Sequence, residues 1–402
     1  EATADFYVEF EGGNKPNGTT VVFKNGTPTS TTAGTSSQTI VVTYPNGAGT
    51  VEKTVTFKTY GNEVNYPVGK DYFETEVGSK FEKKDAGDYV KPSSDLANPT
   101  GTAIAWHDGR RQDNPVDKPQ ATIGIREENI NIWYTTPIAR LRGDDTFNYT
   151  HQDLKVHLAV KPQAPTLTAN QFQGKAGTKP EITVSNLPTA NQLTEGSTVK
   201  VQLKDADGNV VAEKTVTERT GSTTFTEADY NKPVTLGQRL TANVVVSGTY
   251  QKTEKTATGT RQVATKYDLV SNNSNDDQVT PQKPTFDTAT VTSTSRTLSG
   301  TLGGFDAPNK VVKVHLNDEK NTVLSSENNG GVTINGNTWT ATLPATVKLR
   351  QSVAKNGETT MPPAITVENT VTGGTVSTRS DNKQVEMGAY SVTPTIAGSK
   401  HI

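Results

Sequence analysis

The sequence predicts an all-β chain built of β-sandwich domains in tandem. Runs in which apolar residues alternate with threonine recur throughout, and Gly, Pro and Asn separate them. Helical patterns are limited to single turns near 86–89 and 227–230. Apolar residues are 31% of the 402 residues, whereas soluble domains average about 45–50% with glycine included. Such a chain can fill several thin sandwich cores but not one large core.

The first element that the sequence predicts is a β-hairpin within 38–57. Two Val/Thr-rich runs flank Tyr44-Pro45-Asn46-Gly47. Pro45 presets its own φ, and Asn46 and Gly47 tolerate positive φ, so the chain reverses at this point. The segment just upstream, from Gly18, supplies the other half of a small all-β unit.

These residues resemble the Rib/YPDG family of Ig-like repeats on Gram-positive surface proteins. The family's Tyr-Pro-Asp-Gly hairpin stands here as Tyr44-Pro45-Asn46-Gly47, and its Gly-Thr to Gly-Thr-Pro lead-in stands here as Gly18–Pro28. The resemblance covers residues 5–60 and implies a surface protein anchored to the cell wall. It implies no ligand, because many such repeats are spacers.

An internal repeat predicts two sandwich domains in the second half. Lys161–Thr166 reappears as Thr280–Thr285, and Thr198–Asp205 reappears as Val311–Asp318. A spacing of roughly 115 residues is the size of one sandwich domain. Thr338–Pro344 resembles the Trp-containing strand of bacterial Ig-like repeats.

The predicted organisation is therefore a tandem of Ig-like sandwich units. Stiff Pro entries and a polar connector between units predict an elongated rod. The predicted units are a Rib/YPDG-like domain at 1–60, an irregular β domain at 61–163, Ig-like sandwiches at 164–266 and 285–392 with a linker at 267–284 between them, and a tail at 393–402.

Composition indicates where the protein acts and which classes of partner it binds. The net charge is −2. Cysteine is absent, which in a long Thr-rich β chain is typical of an exported Gram-positive protein, with chance or engineering as the alternative. No basic stripe predicts a nucleic-acid partner, and no apolar run is long enough to span a membrane. Glu1 opens no signal peptide and no wall-sorting motif stands near Ile402, so we expect a middle section of a longer surface protein.

Residues 61–163 are the candidate ligand-binding unit. They hold two of the three Trp and a cluster of Arg, and Trp, Tyr and Arg dominate interface hot spots. The alternatives are that the Trp residues are buried for packing and that Arg142-Gly143-Asp144, an integrin-type tripeptide, is a plain turn. The candidate ligand-binding residues are Trp106, Arg110, Arg111, Trp133, Tyr134, Arg142, Gly143 and Asp144.

No catalytic or metal motif stands out. The five His have no metal-ligand spacing, so we expect no enzyme activity, no cofactor and no metal. Asp205–Asn209 loosely resembles a calcium loop but indicates a hairpin turn, and the pair Asp276-Asp277 is a weaker calcium alternative. Lys283 and Asn382 form a conceivable isopeptide pair, with an ordinary surface Lys and turn Asn as the alternative.

The function predicted from these observations is adhesion. We expect an extracellular section of a Gram-positive surface adhesin, associated with virulence, that binds a host matrix or plasma protein or a host glycan. A purely structural stalk is the alternative, and an exported carbohydrate-active enzyme is a weaker one. We expect a monomer with no nucleic-acid or membrane partner.

Overall fold

A computed structural model confirms the all-β fold. It describes residues 3–27, 33–106, 114–134, 150–168, 173–174, 179–352 and 364–386. Strands make up 48% of the chain and helical turns 4%. Two of the helical turns stand where the sequence predicted them. The 3-10 turns of the described residues are Ala4–Tyr7, Ala86–Tyr89, Ala190–Gln192 and Glu227–Asp229.

The chain divides into two compact units. The first comprises Glu1–Pro162, Ala190–Ser197 and Val246–Leu269. The second comprises Gln163–Thr189, Thr198–Val245 and Val270–Ile402. The boundaries predicted for the individual domains stay a prediction.

The first sheet contains the predicted hairpin. Its three antiparallel strands are β1 (Thr20–Phe23), β2 (Gly34–Thr43) and β3 (Thr50–Thr59), in that order. Between β2 and β3, Asn46 and Gly47 adopt φ of 57° and 75°, the conformation that this turn requires. One face of the sheet is apolar. The buried residues on that side are Ala4, Val21, Phe23, Ile40 and Val42.

Residues 61–162 form a mixed sheet in the order β5-β9-β8-β7, with a separate β4–β6 pair. Only β5 runs parallel to its neighbour, β9. β8 is one continuous strand, because each of its residues pairs with β9. The strands are β4 (Asn62–Val64), β5 (Phe73–Glu76), β6 (Val90–Pro92), β7 (Ala103–Trp106), β8 (Gly124–Tyr134) and β9 (Thr150–Lys161).

The next set of strands has the order of an Ig-like sandwich. One sheet is β10-β12-β15 and the other is β14-β13-β16-β17, with β18 also on β16. A parallel pair, β11–β19, joins the beginning of the set to its end. The strands are β10 (Thr166–Leu167), β11 (Gln173–Gly174), β12 (Ile182–Ser185), β13 (Thr198–Lys204), β14 (Val210–Val216), β15 (Ser222–Phe225), β16 (Arg239–Thr256), β17 (Gly259–Val270), β18 (Asp277–Gln278) and β19 (Thr280–Pro281).

The last sandwich repeats this arrangement. Its sheets, β20-β22-β26-β25 and β24-β23-β27-β28, enclose one core with the fully buried Trp339 at its centre, and β21 pairs parallel with β29. The strands are β20 (Thr285–Phe286), β21 (Val291–Thr292), β22 (Thr297–Thr301), β23 (Lys310–His315), β24 (Val323–Ser325), β25 (Val332–Asn335), β26 (Thr338–Thr342), β27 (Thr366–Val371), β28 (Ser377–Arg379) and β29 (Val385–Glu386).

The segment predicted as a linker, 267–284, differs from that expectation. It contains the end of β17 together with β18 and β19. Asn275 accepts a hydrogen bond from the Leu167 N–H and donates one to the Leu167 carbonyl, both at 2.9 Å. Polar side chains that satisfy backbone groups explain why this stretch lacks apolar periodicity and is nevertheless structured.

Candidate binding surface

Trp106 lies on the side of its sheet that faces the core. It ends β7 opposite the fully buried Ile130. Its ring packs edge-on against Tyr89, with the ring centroids 4.9 Å apart, and its indole N–H donates to the Lys84 carbonyl at 3.0 Å. The indole therefore holds the 84–89 segment against the sheet.

Tyr134 is also a packing residue. It is 2% exposed, and burial raises the pKa of its hydroxyl. That hydroxyl accepts from Asn62 Nδ2 at 2.6 Å and donates to Gln152 Oε1 at 2.7 Å. Gln152 in turn exchanges hydrogen bonds with the backbone of Asn62. The network ties β4 to the β8–β9 pair.

Trp133 lies on the opposite face of the same sheet. Successive residues of a strand point to opposite sides, so Trp133 faces away from Ile132 and Tyr134. It is 39% exposed and lies opposite Ala103 in the register. The structure thus separates Trp133 from Trp106 and Tyr134 rather than bringing the three together.

The other candidates lie outside the described residues. They are Arg110, Arg111, Arg142, Gly143 and Asp144. Of the predicted ligand-binding set, Trp133 is therefore the described member with an exposed large side chain.

Sequence reasoning missed a buried polar cluster around His157. The His157 ring lies 3.1 Å from the Asp71 carbonyl through Nδ1 and 3.1 Å from Glu127 Oε1 through Nε2. A carbonyl oxygen and a carboxylate oxygen both accept hydrogen bonds, and either ring nitrogen of the imidazole can be the donor. The side chains of His157 and Glu127 are 11% and 9% exposed.

Glu127 connects this cluster to the segment 246–269 of the first unit. Its carboxylate accepts from the Thr253 N–H at 2.7 Å and from the Thr253 hydroxyl at 2.6 Å. Burial alone would raise the pKa of Glu127, but the hydrogen bonds from Thr253 and His157 outweigh burial and lower it. Burial also raises the pKa of Tyr66, whose ring stacks on His157, to about 12.

The geometry suits the cluster for holding strands together. Glu127 is 30 residues from His157 and 126 from Thr253 in sequence, so no local motif could have revealed the contact. A charged hydrogen bond that is mostly withdrawn from water is stronger than an exposed one.

The alternatives raised for Asp205 and Asp276 resolve into ordinary contacts. Asp205 Oδ1 accepts the N–H groups of Asp207 and Asn209, at 3.1 and 2.8 Å, in the hairpin between β13 and β14. Asp276 pairs with the Arg239 guanidinium at 2.6 Å, which lowers the pKa of that carboxyl. Within the described ranges, no group of three or more His, Cys, Asp or Glu is placed to hold a metal ion.

The isopeptide alternative meets an unsuitable environment. Lys283 pairs with Asp381, next to Asn382, at 2.7 Å, and the two side chains are 39% and 90% exposed. Formation of an isopeptide bond needs a lysine that is held in an apolar site, and this partly exposed side chain is not in one. Across the described residues, no helix is long and apolar enough to cross a membrane.

Comparisons with known proteins give only remote likenesses. No family model matches the chain, and no curated protein gives a significant match. A biofilm-associated protein BSP domain is 12% identical, with a TM-score of 0.17 over 66% of this chain. The chain spans 43% of the length of that structure.

Two further solved structures are similarly distant. An ICAM-5 D1–D4 ectodomain fragment is 11% identical over 92% of this chain and 77% of its own, with a TM-score of 0.21. Sidekick-1 immunoglobulin domains 1–5 are 12% identical over 90% and 68%, with a TM-score of 0.16. At such low TM-scores these similarities support no conclusion about this chain. The Ig-like description rests on the order of its own strands.

Proposed function

We propose that the chain is a section of a Gram-positive bacterial surface adhesin, anchored to the cell wall in the full-length protein. Its ligand would be a host matrix or plasma protein or a host glycan. Support comes from the family resemblance of residues 5–60 and from two Ig-like sandwiches in one chain that contains no cysteine.

The observation that carries the proposal is a parallel strand pair that links the beginning of each sandwich to its end. In both sandwiches a short strand near the beginning pairs parallel with a short strand at the end, as β11–β19 and β21–β29. A pull on the two ends of such a domain slides the paired strands past each other, so their hydrogen bonds resist together rather than one after another. This geometry suits a protein that bears tension between a cell and its surroundings.

The surfaces of the sandwiches suit an extracellular setting. In β26, Thr338, Thr340 and Thr342 are exposed and alternate with the buried Trp339 and Ala341. This pattern fills a thin core with few apolar residues and covers it with threonine, which has high β-propensity and is well hydrated. Because the chain contains no cysteine, the domains fold without disulfides.

The proposed host contact is the exposed face around Trp133. The test is capture of host plasma, matrix proteins and arrayed glycans by the full chain. Trp133→Ala should weaken the captured interaction by more than about 1 kcal/mol, and so should Arg110→Ala with Arg111→Ala. Val323→Ala, a change at an exposed apolar residue of the second unit, is the matched control. Unchanged affinity in Trp133→Ala would remove this face from the proposal.

A structural stalk is the second candidate. It is favoured by Trp106 and Tyr134, whose packing roles leave less aromatic surface for a ligand. If the full chain captures no host protein or glycan under conditions in which it is folded, the stalk is the better description.

A further inference from the structure

Strand β3 is a long, regular strand at the edge of its sheet. It pairs with β2 over its whole length, Thr50–Thr59, with no shift in register. Among the described residues, β2 is its one neighbouring strand. It contains neither Pro nor Gly, which interrupt strands. It does carry Glu52, Lys53 and Lys58, and charges on an edge restrict which strands can pair with it. Its free edge therefore presents a row of backbone donors and acceptors to solvent.

The exposure of β3 agrees with an open edge. Residues 50–54, 56 and 58 are exposed. Val51 is 40% exposed although it lies opposite the buried Val42. An apolar residue left uncovered at an edge is covered when another strand adds to the sheet.

Backbone geometry restricts how two copies of β3 could pair. Only alternate residues of an edge strand point their N–H and C=O groups outward. In an antiparallel pair of identical strands, an outward residue must therefore face an outward residue. The two residue numbers that face each other must then sum to an even number.

Charge selects one of these registers. On β3, Glu52 and Lys58 point to the same face of the sheet, because they are an even number of residues apart, and both are exposed. Glu52 also pairs with Lys24 of its own copy at 2.9 Å, and its side chain stays 51% exposed in that contact. A register centred on Val55 places Glu52 of each copy opposite Lys58 of the other. Pairing Glu52 with Lys53 would need an odd sum, which the backbone excludes. The selected register also overlaps residues 51–59, nearly the whole strand.

We propose that β3 is a self-association edge, at which two copies of the chain pair antiparallel about a two-fold axis at Val55. The two three-stranded sheets then form one continuous six-stranded sheet with two Glu52–Lys58 pairs that the two-fold axis relates. Val55 of each copy meets Val55 of the other beside the small core that it partly packs against. This inference is independent of host binding, and it departs from the expected monomer.

The other long edge strand fits self-pairing less well. β17 also has a single neighbour in its sheet, β16. In β17, the opposite charges whose residue numbers give an even sum are Lys266 and Asp268. Placing them opposite each other centres the pairing on Tyr267 and limits the overlap to residues 264–270. β3 is therefore the better candidate.

The test is sedimentation velocity of the full chain from micromolar to millimolar concentrations. We expect a reversible monomer–dimer equilibrium. Glu52→Lys and Lys58→Glu should each weaken dimerisation about tenfold or more, because each replaces two opposite-charge pairs with two like-charge pairs. The double variant Glu52→Lys/Lys58→Glu should restore dimerisation, because the charges again match.

Lys53→Glu is the matched control. It changes the same charge on the same strand, but on the opposite face and away from Glu52 in the proposed register, so it should leave the dissociation constant unchanged. Circular dichroism verifies that every variant is folded. A chain that stays monomeric at all concentrations, an equal effect of Lys53→Glu, or a double variant that fails to restore dimerisation would each overturn the proposal.

Discussion

Gly300→Ala should destabilise the last sandwich more than the loss of a single contact would. Gly300 lies on β22 between the paired strands β20 and β26. An added Cβ would lie 1.8 Å from the Thr285 carbonyl oxygen and 2.7 Å from Trp339 Nε1. That indole donates to the same carbonyl at 3.1 Å. The absence of a side chain at Gly300 is therefore what allows this hydrogen bond.

The magnitude follows from two effects. Overpacking of a core costs about 1–3 kcal/mol, and the clash here is with backbone, which cannot rotate away. Separating Trp339 from Thr285 leaves a buried donor and acceptor unpaired, which costs about another 1–3 kcal/mol. We therefore expect a loss of about 2–6 kcal/mol in the free energy of unfolding of this sandwich.

The assay is denaturant unfolding of the full chain, with hydrogen exchange to localise the transition to residues 285–386. Gly336→Ala is the control, because its Cβ meets nothing within 4 Å but its φ is 59°. Backbone strain alone should cost that variant about 1 kcal/mol. The reasoning fails if Gly300→Ala costs no more than Gly336→Ala.

Two further predictions concern buried polar groups. Asn369→Ala should lower the free energy of unfolding by about 2–4 kcal/mol, because two backbone carbonyls lose the donor that reaches them at 2.7 and 3.0 Å; calorimetry that shows an unchanged last transition would contradict this. Glu127 has a lowered pKa in the folded chain, so its stabilisation is complete above its ordinary value of 4.5 and is lost as the pH falls through the folded pKa. Glu127→Gln should therefore reduce the stability of the first unit at pH 7 and make its stability fall less steeply in acid. The measurement is a set of melting curves at several pH values. A parallel decline of the variant and the parent would argue against the role of Glu127.

The candidate site shows where sequence reasoning stops. Aromatic and cationic residues concentrated in 61–163 predicted one binding surface. The alternation of β8 places Trp133 on one face and Tyr134 on the other, and the pairing of β7 with β8 turns Trp106 toward the core. Composition alone gives no register, and a shift of one residue in register would exchange the two faces.

The sequence by itself determined the all-β class, the Tyr44–Gly47 turn and the repeated sandwich strands, because alternation and turn chemistry are local properties of the chain. Only the tertiary structure decided that β5 and β9 run parallel, that Glu127 holds Thr253, and that β3 is an open edge. Those features depend on which distant segments meet. Such choices follow from burial and hydrogen bonding summed over the whole fold, and no local pattern carries them.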